Sequence, residues 1–528
     1  MLRLWTNFAK TGDPNVPEPG PVSWSPLTAE SQSFLDLGPM EMTMPENYHH
    51  RTQFWSSVFS RPAPVATAEG PVLGSFLTTV SGKTIRSFQG IPFASPPVGA
   101  LRFAAPLPPQ VRDTLYDAGS LGHACPQGSG PYEVPEGQSE DCLFLNIYSP
   151  LEINSPLPVL VYIHGGSLTR GSGGTYFHGP ELLLDSRNIL LVTINYRLGP
   201  LGLLSLESSE LVGNQALRDQ ALALAWVRNN IQNFGGDPGL VTLAGQSAGA
   251  FSVGTHMVSP PSFELFHRAV AMSGSPVRVT GTDTTLAAGS GRRVALDLAR
   301  HLNCTTTLGD AAVIACLREK PWQDILSSGW IFSHPDTGAL QTRKPYSWIV
   351  DSQFAEEPVL PMLQEEAFAK GEFARVPLMI GVTKDEGLYN AAKYILDPEA
   401  LANLNENWEF IGPKIIFDKK ENVSVEERDI VSRIRQFYFG ENEIDESQIQ
   451  PLVNLFSDKT FWSSVHRTVN LISNISAPPP IYLYMFAHSG AWSFAELLNL
   501  PTGYGVCHAD DVHYLFQVRS LKVLSIKI

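Results

Sequence analysis

The sequence is short of several things, and each shortage excludes something. In 528 residues no run reaches the ~18 apolar residues of a membrane-crossing helix. Basic residues are in deficit: 37 Lys and Arg against 52 Asp and Glu give a net charge of -15. A nucleic-acid partner, which needs a basic face, is therefore not expected. Cysteine is scarce, at five, and no pair has the Cys-x-x-Cys spacing of a zinc or redox motif. No metal or cofactor is expected. No internal repeat appears. The opening residues lack the apolar stretch and small-residue cleavage site of a secretory leader. What remains is an ordinary globular composition, 43% hydrophobic and 17% charged, long enough to bury a large core.

Four cysteines fall into two close pairs, Cys125 with Cys142 and Cys304 with Cys316. Two short disulfides formed in an oxidising compartment are favoured, and four buried thiols are the alternative. Sequons at Asn303, Asn422 and Asn474 agree with a secreted, glycosylated protein.

Residues 1–60 hold Trp5, Trp24, Trp55 and several prolines, with little apolar periodicity after the first turns. They offer too little regular apolar surface for a domain of their own. Residues 61–69 read as a linker. From residue 70 the pattern changes to short alternating strands at 72–76 and 83–88, then strands at 143–148, 159–163 and 189–194. A helix is expected over 214–234, a strand at 240–244, helix from 250 and over 290–302, a strand at 376–382, mostly helix over 395–475, and a last central strand at 481–487. Alternating strands and helices imply an α/β fold with a large, mostly parallel sheet flanked by helices. The early strands read as a small antiparallel sheet at its N-terminal side.

The chemistry centres on Gly245-Gln246-Ser247-Ala248-Gly249. An apolar strand leads in and a helix leads out, the setting in which a Gly-x-Ser-x-Gly turn lifts a nucleophilic serine above the sheet edge. Taken alone, the pentapeptide is as compatible with an ordinary turn. An acyl-transfer serine needs a base, an acid that orients the base, and donors for the oxyanion. His164-Gly165-Gly166-Ser167 follows the strand 159–163, and the N–H groups of Gly166 and Ser167, with that of Ala248, are the expected donors. The third glycine usual in such a loop is Ser167 here, where a side chain restricts the backbone. Glu386 follows the strand 376–382 and is the expected acid, with Asp385 the neighbour that could be mistaken for it. Among 13 histidines, His508 is the expected base. The order Ser247, Glu386, His508 is that of α/β-hydrolases. His513, inside an apolar segment, reads as structural, and His178 and His256 have no supporting context.

At this point the chain resembles the type-B carboxylesterase, cholinesterase-like family, and insect carboxylesterases in particular. The resemblance covers about residues 69–516. It rests on Gly90-Ile-Pro-Phe-Ala-x-Pro-Pro-Val-Gly99, Leu101-Arg-Phe103, Ser139-Glu-Asp-Cys-Leu-Phe-Leu-Asn146, His164-Gly-Gly166, Asn195-Tyr-Arg197, Gly213-Asn214 with Asp219-Gln220, Phe234-Gly-Gly-Asp-Pro238, the Gln246-containing elbow, Gly381-Val-x-x-x-Glu-Gly387 and His508-Ala-Asp-Asp511. It implies an α/β-hydrolase fold and a serine carboxylesterase acting on small to medium carboxylic esters. It also implies disulfides Cys125–Cys142 and Cys304–Cys316, internal ion pairs Arg102–Glu140 and Arg197–Asp219, and Ser273 and Asp511 as neighbours of the triad. Cys507 is left as an unpaired thiol beside the base, open to modification. Residues 126–141 contain no Trp, which sets the chain apart from choline-ester hydrolases. Gln246 resembles juvenile hormone esterases, where most relatives carry Glu, and gives a narrower substrate reading.

The same resemblance reads residues 1–60 as the family's closing segment displaced to the front. The domain 70–528 is then C-terminally truncated, by a gene-model fusion or a rearrangement. Two functional alternatives stand beside the esterase. One is a non-enzymatic binding protein of the same fold. The other is a sequestering esterase that acylates and turns over slowly. The expected partner is a small-molecule ester; oligomeric state is not legible.

Overall fold

The computed structural model describes residues 61–128, 134–277, 286–328, 345–417, 423–501 and 503–518. The chain divides into Met1–Arg61 and Pro62–Ile528. The expected displaced segment, residues 1–60, lies outside the described residues, as do the sequon Asn422 and everything after Val518.

A nine-stranded sheet organises the second unit, in the order β11-β10-β9-β8-β6-β7-β5-β3-β2. The strands are β2 (Ser75–Thr78), β3 (Thr84–Pro92), β5 (Phe144–Pro150), β6 (Leu157–Ile163), β7 (Leu190–Ile194), β8 (Gly236–Gln246), β9 (Arg268–Met272), β10 (Leu378–Thr383) and β11 (Ile481–Phe486). From β7 to β11 every pairing is parallel, and from β2 through β5 to β7 every pairing is antiparallel. The antiparallel strands expected near the start are therefore not a sheet of their own. They continue the large sheet, because β3 also pairs with β5. The separate small sheet is β1 (Val72–Leu73) with β4 (Tyr116–Asp117), and it is parallel.

The central strands β6, β7 and β8 are apolar and covered on both faces, as buried parallel strands require. The last strand departs from expectation. Among the described residues β11 is the sheet edge rather than a central strand, and Tyr482, Leu483 and Met485 are each more than half exposed. Its apolar composition resembles that of β6, and composition alone does not reveal how many neighbours a strand has.

One more correction concerns a tie to the core. Residues 61–69 are not a free linker. Val65 exchanges backbone hydrogen bonds with Val72 at 2.9 and 2.8 Å, and Glu69 Oε2 accepts from Trp226 Nε1 at 2.8 Å. The expected helix 214–234 runs as α-helix over Gln215–Asn230 and tightens to a 3₁₀ turn over Ile231–Phe234. Gly235 closes it in the left-handed region at φ 96, where glycine is unstrained.

Both close cysteine pairs are disulfides, Cys125–Cys142 and Cys304–Cys316. Arg102 pairs with Glu140, and Arg197 with Asp219 at 2.7 Å. The first pair is mostly buried and the second wholly so. Arg102 Nη1 also donates to the carbonyls of Arg318 and Lys320 at 3.0 and 2.5 Å, tying the helix that carries Cys316 to the N-terminal strands.

Candidate active site

Parallel register collects the candidate residues at one edge of the sheet, the carboxyl ends of the strands, where sites in α/β folds lie. Ile163 of β6 lies opposite Gly245 of β8, and Gln246 lies opposite Met272 of β9, itself opposite Gly381 of β10. The residues that follow each strand, 164–167, 247–248, 273 and 384–387, are thereby neighbours.

Ser247 is held by a turn that only small residues permit. Its own backbone sits at φ 55, ψ -119, a sparsely populated region for a residue with a side chain. A Cβ on Gly245 would lie 2.5 Å from Gly249 backbone atoms, and one on Gly249 would lie 2.0 Å from the Ile163 carbonyl oxygen. The helix Ala248–Met257 therefore packs directly on β6. On the other side a Cβ on Gly165 would lie 3.2 Å from Ser247 Cβ. Ser247 is half-buried and lines a cavity at the carboxyl ends of the strands.

Gly166 and Ser167 line the same cavity. Both take left-handed backbone, at φ 101 and φ 61. Ser167 thus takes left-handed backbone in spite of its side chain. The N–H groups of Gly166, Ser167 and Ala248 donate to no other group among the described residues. Ala248 opens its helix, where the first N–H groups have no intrahelical acceptor.

Glu386 is fully buried. Its Oε1 accepts from the Thr383 N–H at 2.8 Å, and its Oε2 lies 2.5 Å from His508 Nδ1. The His508 ring packs between Phe461 and Tyr389, with centroids 4.7 and 5.6 Å away. Its Nε2 lies 3.1 Å from the side-chain nitrogen of Gln246 and makes no hydrogen bond to Ser247 Oγ. Asp385 takes no part in this contact. Its two oxygens accept from Val506 N–H at 2.9 Å and Gln450 Nε2 at 3.1 Å, which fastens the segment that carries His508.

Ser273 and Asp511 are buried close by. Ser273 donates its N–H to Gly381 O at 2.8 Å, and Asp511 Oδ2 accepts from Tyr484 Oη at 3.1 Å. Burial, then the charge of Glu386, pushes the Asp511 carboxyl up to about 7. Asp510 is pushed up to about 6 by burial, although it accepts from the N–H groups of Phe494 and Cys507. Cys507 is free but has no exposed surface, and burial drives its thiol well above the usual range. A buried, un-ionised thiol is not an open modification site.

Several cavity residues carry no signal in the sequence. Phe461 lies in the π-helix Asp458–Trp462, a local widening that no motif announces. Tyr389 opens from a helix of ordinary composition. His178 and His513 also line the cavity, and burial lowers each to about 3. Their place as neutral wall groups escapes a reading that seeks titrating histidines. His256, by contrast, is a core residue bonded to Gln220 and Ser262. No cluster of potential metal ligands occurs among the described residues.

Residues 61–526 match the model of the carboxylesterase family. The chain belongs to that family. Juvenile hormone esterase of Tribolium castaneum is 33% identical over 467 residues, spanning 86% of this chain and 78% of its own. Esterase FE4 of Myzus persicae is 34% identical over 481 residues, spanning 88% and 81%. The crystal structure of juvenile hormone esterase from Manduca sexta, with OTFP covalently attached, aligns with TM-score 0.75 at 29% identity, covering 88% of this chain and 85% of that one. The α/β-hydrolase fold and the assignment as an ester hydrolase follow from these matches.

Proposed function

We propose that the chain hydrolyses carboxylic esters through an acyl-enzyme on Ser247. One observation carries the reading: a fully buried Glu386 holds His508 Nδ1 at 2.5 Å, and the same imidazole shares a cavity wall with the half-buried Ser247. In this reading Ser247 Oγ attacks the ester carbonyl while its proton passes to His508 Nε2. The N–H groups of Gly166, Ser167 and Ala248 bear the oxyanion, each worth on the order of 3 kcal/mol in comparable sites. His508 then protonates the departing alcohol. In the second half it takes a proton from the water that attacks the acyl carbon and passes it to Ser247 Oγ as the acyl–Oγ bond breaks, releasing the acid. Glu386 fixes the ring tautomer and stabilises the imidazolium. Serine and histidine are not hydrogen-bonded in this structure; contacts of this kind tighten in the substrate and transition-state complexes.

The cavity wall includes Phe177, Phe251, Ile415, Phe456 and Phe494, which favours an ester with an apolar acyl or alcohol part. A narrower reading, an ester of juvenile-hormone type, is favoured by Gln246 and by the two juvenile hormone esterases among the similar proteins. The two disulfides and the exposed sequons at Asn303 and Asn474 favour a secreted glycoprotein.

The test combines a fluorophosphonate probe with p-nitrophenyl acetate turnover. Label on Ser247 and catalytic turnover, both lost in Ser247→Ala, are expected. Absence of label identifies a binding protein, and label without turnover identifies a sequestering protein.

A further inference from the structure

The Gln246 amide bears directly on the base. His508 Nδ1 is committed to Glu386 Oε2 at 2.5 Å. An ionised carboxylate only accepts, so the neutral ring carries its proton on Nδ1 and its lone pair on Nε2. That lone pair takes one hydrogen bond. Gln246 Nε2, at 3.1 Å, supplies it. Ser247 Oγ, one residue along, has no hydrogen-bond partner among the described residues. Gln246 is buried at 6% exposure, and its amide oxygen occupies space that a Cβ on Gly165 would enter at 2.7 Å. The side chain is thus confined between the oxyanion loop and the imidazole.

We propose that Gln246 is a positioning residue whose amide donates to His508 Nε2, favouring the neutral ring and competing with Ser247 for its lone pair. The inference rests on the acyl-transfer reading for its consequence, but not for its geometry. A proton arriving at Nε2 has to displace the amide hydrogen. A carboxylate at 246 would instead attract that proton, and a thioether would neither supply nor accept a strong hydrogen bond. The other charged or titratable groups around the ring are Asp385 and Glu386 after β10, Tyr389 packed on the ring, Asp510, Asp511, His513 and Cys507 on its own segment, and His164, His178, Arg170 and Lys459 in the cavity wall. None is altered by substitution at 246.

The experiment compares wild type, Gln246→Met and Gln246→Glu, each checked for folding by thermal unfolding. The first readout is the acid limb of the rate of fluorophosphonate labelling. It is expected to move to higher pH by about half a unit in Gln246→Met, the size of one neutral hydrogen bond. In Gln246→Glu it moves by about one unit or more, as a facing carboxylate produces. If Gln246→Glu does not fold, the Met variant decides alone. The second readout is the ring-carbon NMR titration of His508, assigned with His508→Gln, which needs no turnover. The same order of midpoints, Gln below Met below Glu, supports the inference. Coincident limbs and titrations, or a Met midpoint below wild type, overturn it. A protein that shows the order by NMR but takes no label keeps this inference and loses the acyl-transfer reading. A labelled protein with coincident titrations loses this inference alone.

Discussion

The two halves of the candidate site are held by different physics. The nucleophile half, around β6 and β8, is fixed by backbone against backbone. Gly249 meets the Ile163 carbonyl, Gly245 meets Gly249, and a Cβ on Gly274 would lie 2.5 Å from Ser247 O. The acid–base half, around β10 and the segment 505–511, is fixed mainly by side chains. Glu386 holds His508, Asp385 holds Val506, and Asp510 accepts from Phe494 and Cys507. A half built from close-packed backbone tolerates no added atom, and a half laced by carboxylates depends on which oxygens are charged. Substitution with an isosteric amide should therefore separate the two halves.

The largest effect is expected at the join. Glu386→Gln keeps the volume of the side chain but removes the charge that selects the His508 tautomer. If the acyl-transfer reading holds, ester turnover falls by about 10³–10⁴-fold, with little change in KM. A fall of less than tenfold would remove Glu386 from its proposed role.

On the backbone-packed side the expected loss is in stability. In Gly249→Val the new Cβ would sit 2.0 Å from the Ile163 oxygen and 3.0 Å from the His164 oxygen, both main-chain atoms that cannot swing aside. The helix Ala248–Met257 has to move off β6, at a cost of about 3 kcal/mol or more. A large drop in thermal midpoint is expected, together with loss of the Ser247 geometry. An unchanged midpoint would show that the elbow is not packed as tightly as β6 and β8 imply.

The same contrast explains what could be read from the residues. Gly245, Gly249 and Gly165 belong to the half where sequence and geometry are nearly one statement, because only glycine fits. Ser167 is the instructive exception: its side chain raised a doubt about the loop, yet its backbone takes the left-handed form at φ 61. Strand order was legible in part, since alternating strands and helices announce parallel pairing. Edge position was not, because the apolar residues of β11 match those of a central strand. The acid–base half was legible in chain order alone. Nothing in the residues announces that Asp385 clamps Val506, that Phe461 comes from a π-helical turn, or that Gln246 reaches His508 Nε2, because each depends on a meeting across long sequence separation. Cysteine spacing alone left buried thiols open, and the pairing Cys125–Cys142 and Cys304–Cys316 came from the family resemblance.

The smallest effect expected is electrostatic, and it tests the carboxylate-laced half. Burial and Glu386 raise Asp511 from 3.8 to about 7. Between those values the folded chain keeps a proton that the unfolded chain has released. Stability is then highest below the unfolded value and falls as pH rises toward about 7, where the folded carboxyl itself ionises. Asp511→Asn removes that titration while leaving an oxygen for Tyr484 Oη to donate to. Asp510, raised to about 6, contributes in the same direction but is present in both proteins and cancels in the difference. The variant should gain about 1–3 kcal/mol relative to wild type between about pH 4 and about pH 8, read from chemical denaturation at the two ends. A difference that is flat with pH would mean that Asp511 ionises normally inside the fold and that its burial beside Glu386 is relieved by some other group. A gain confined to the alkaline end would tie the carboxylate-laced half to proton uptake, as the backbone-packed half is tied to glycine.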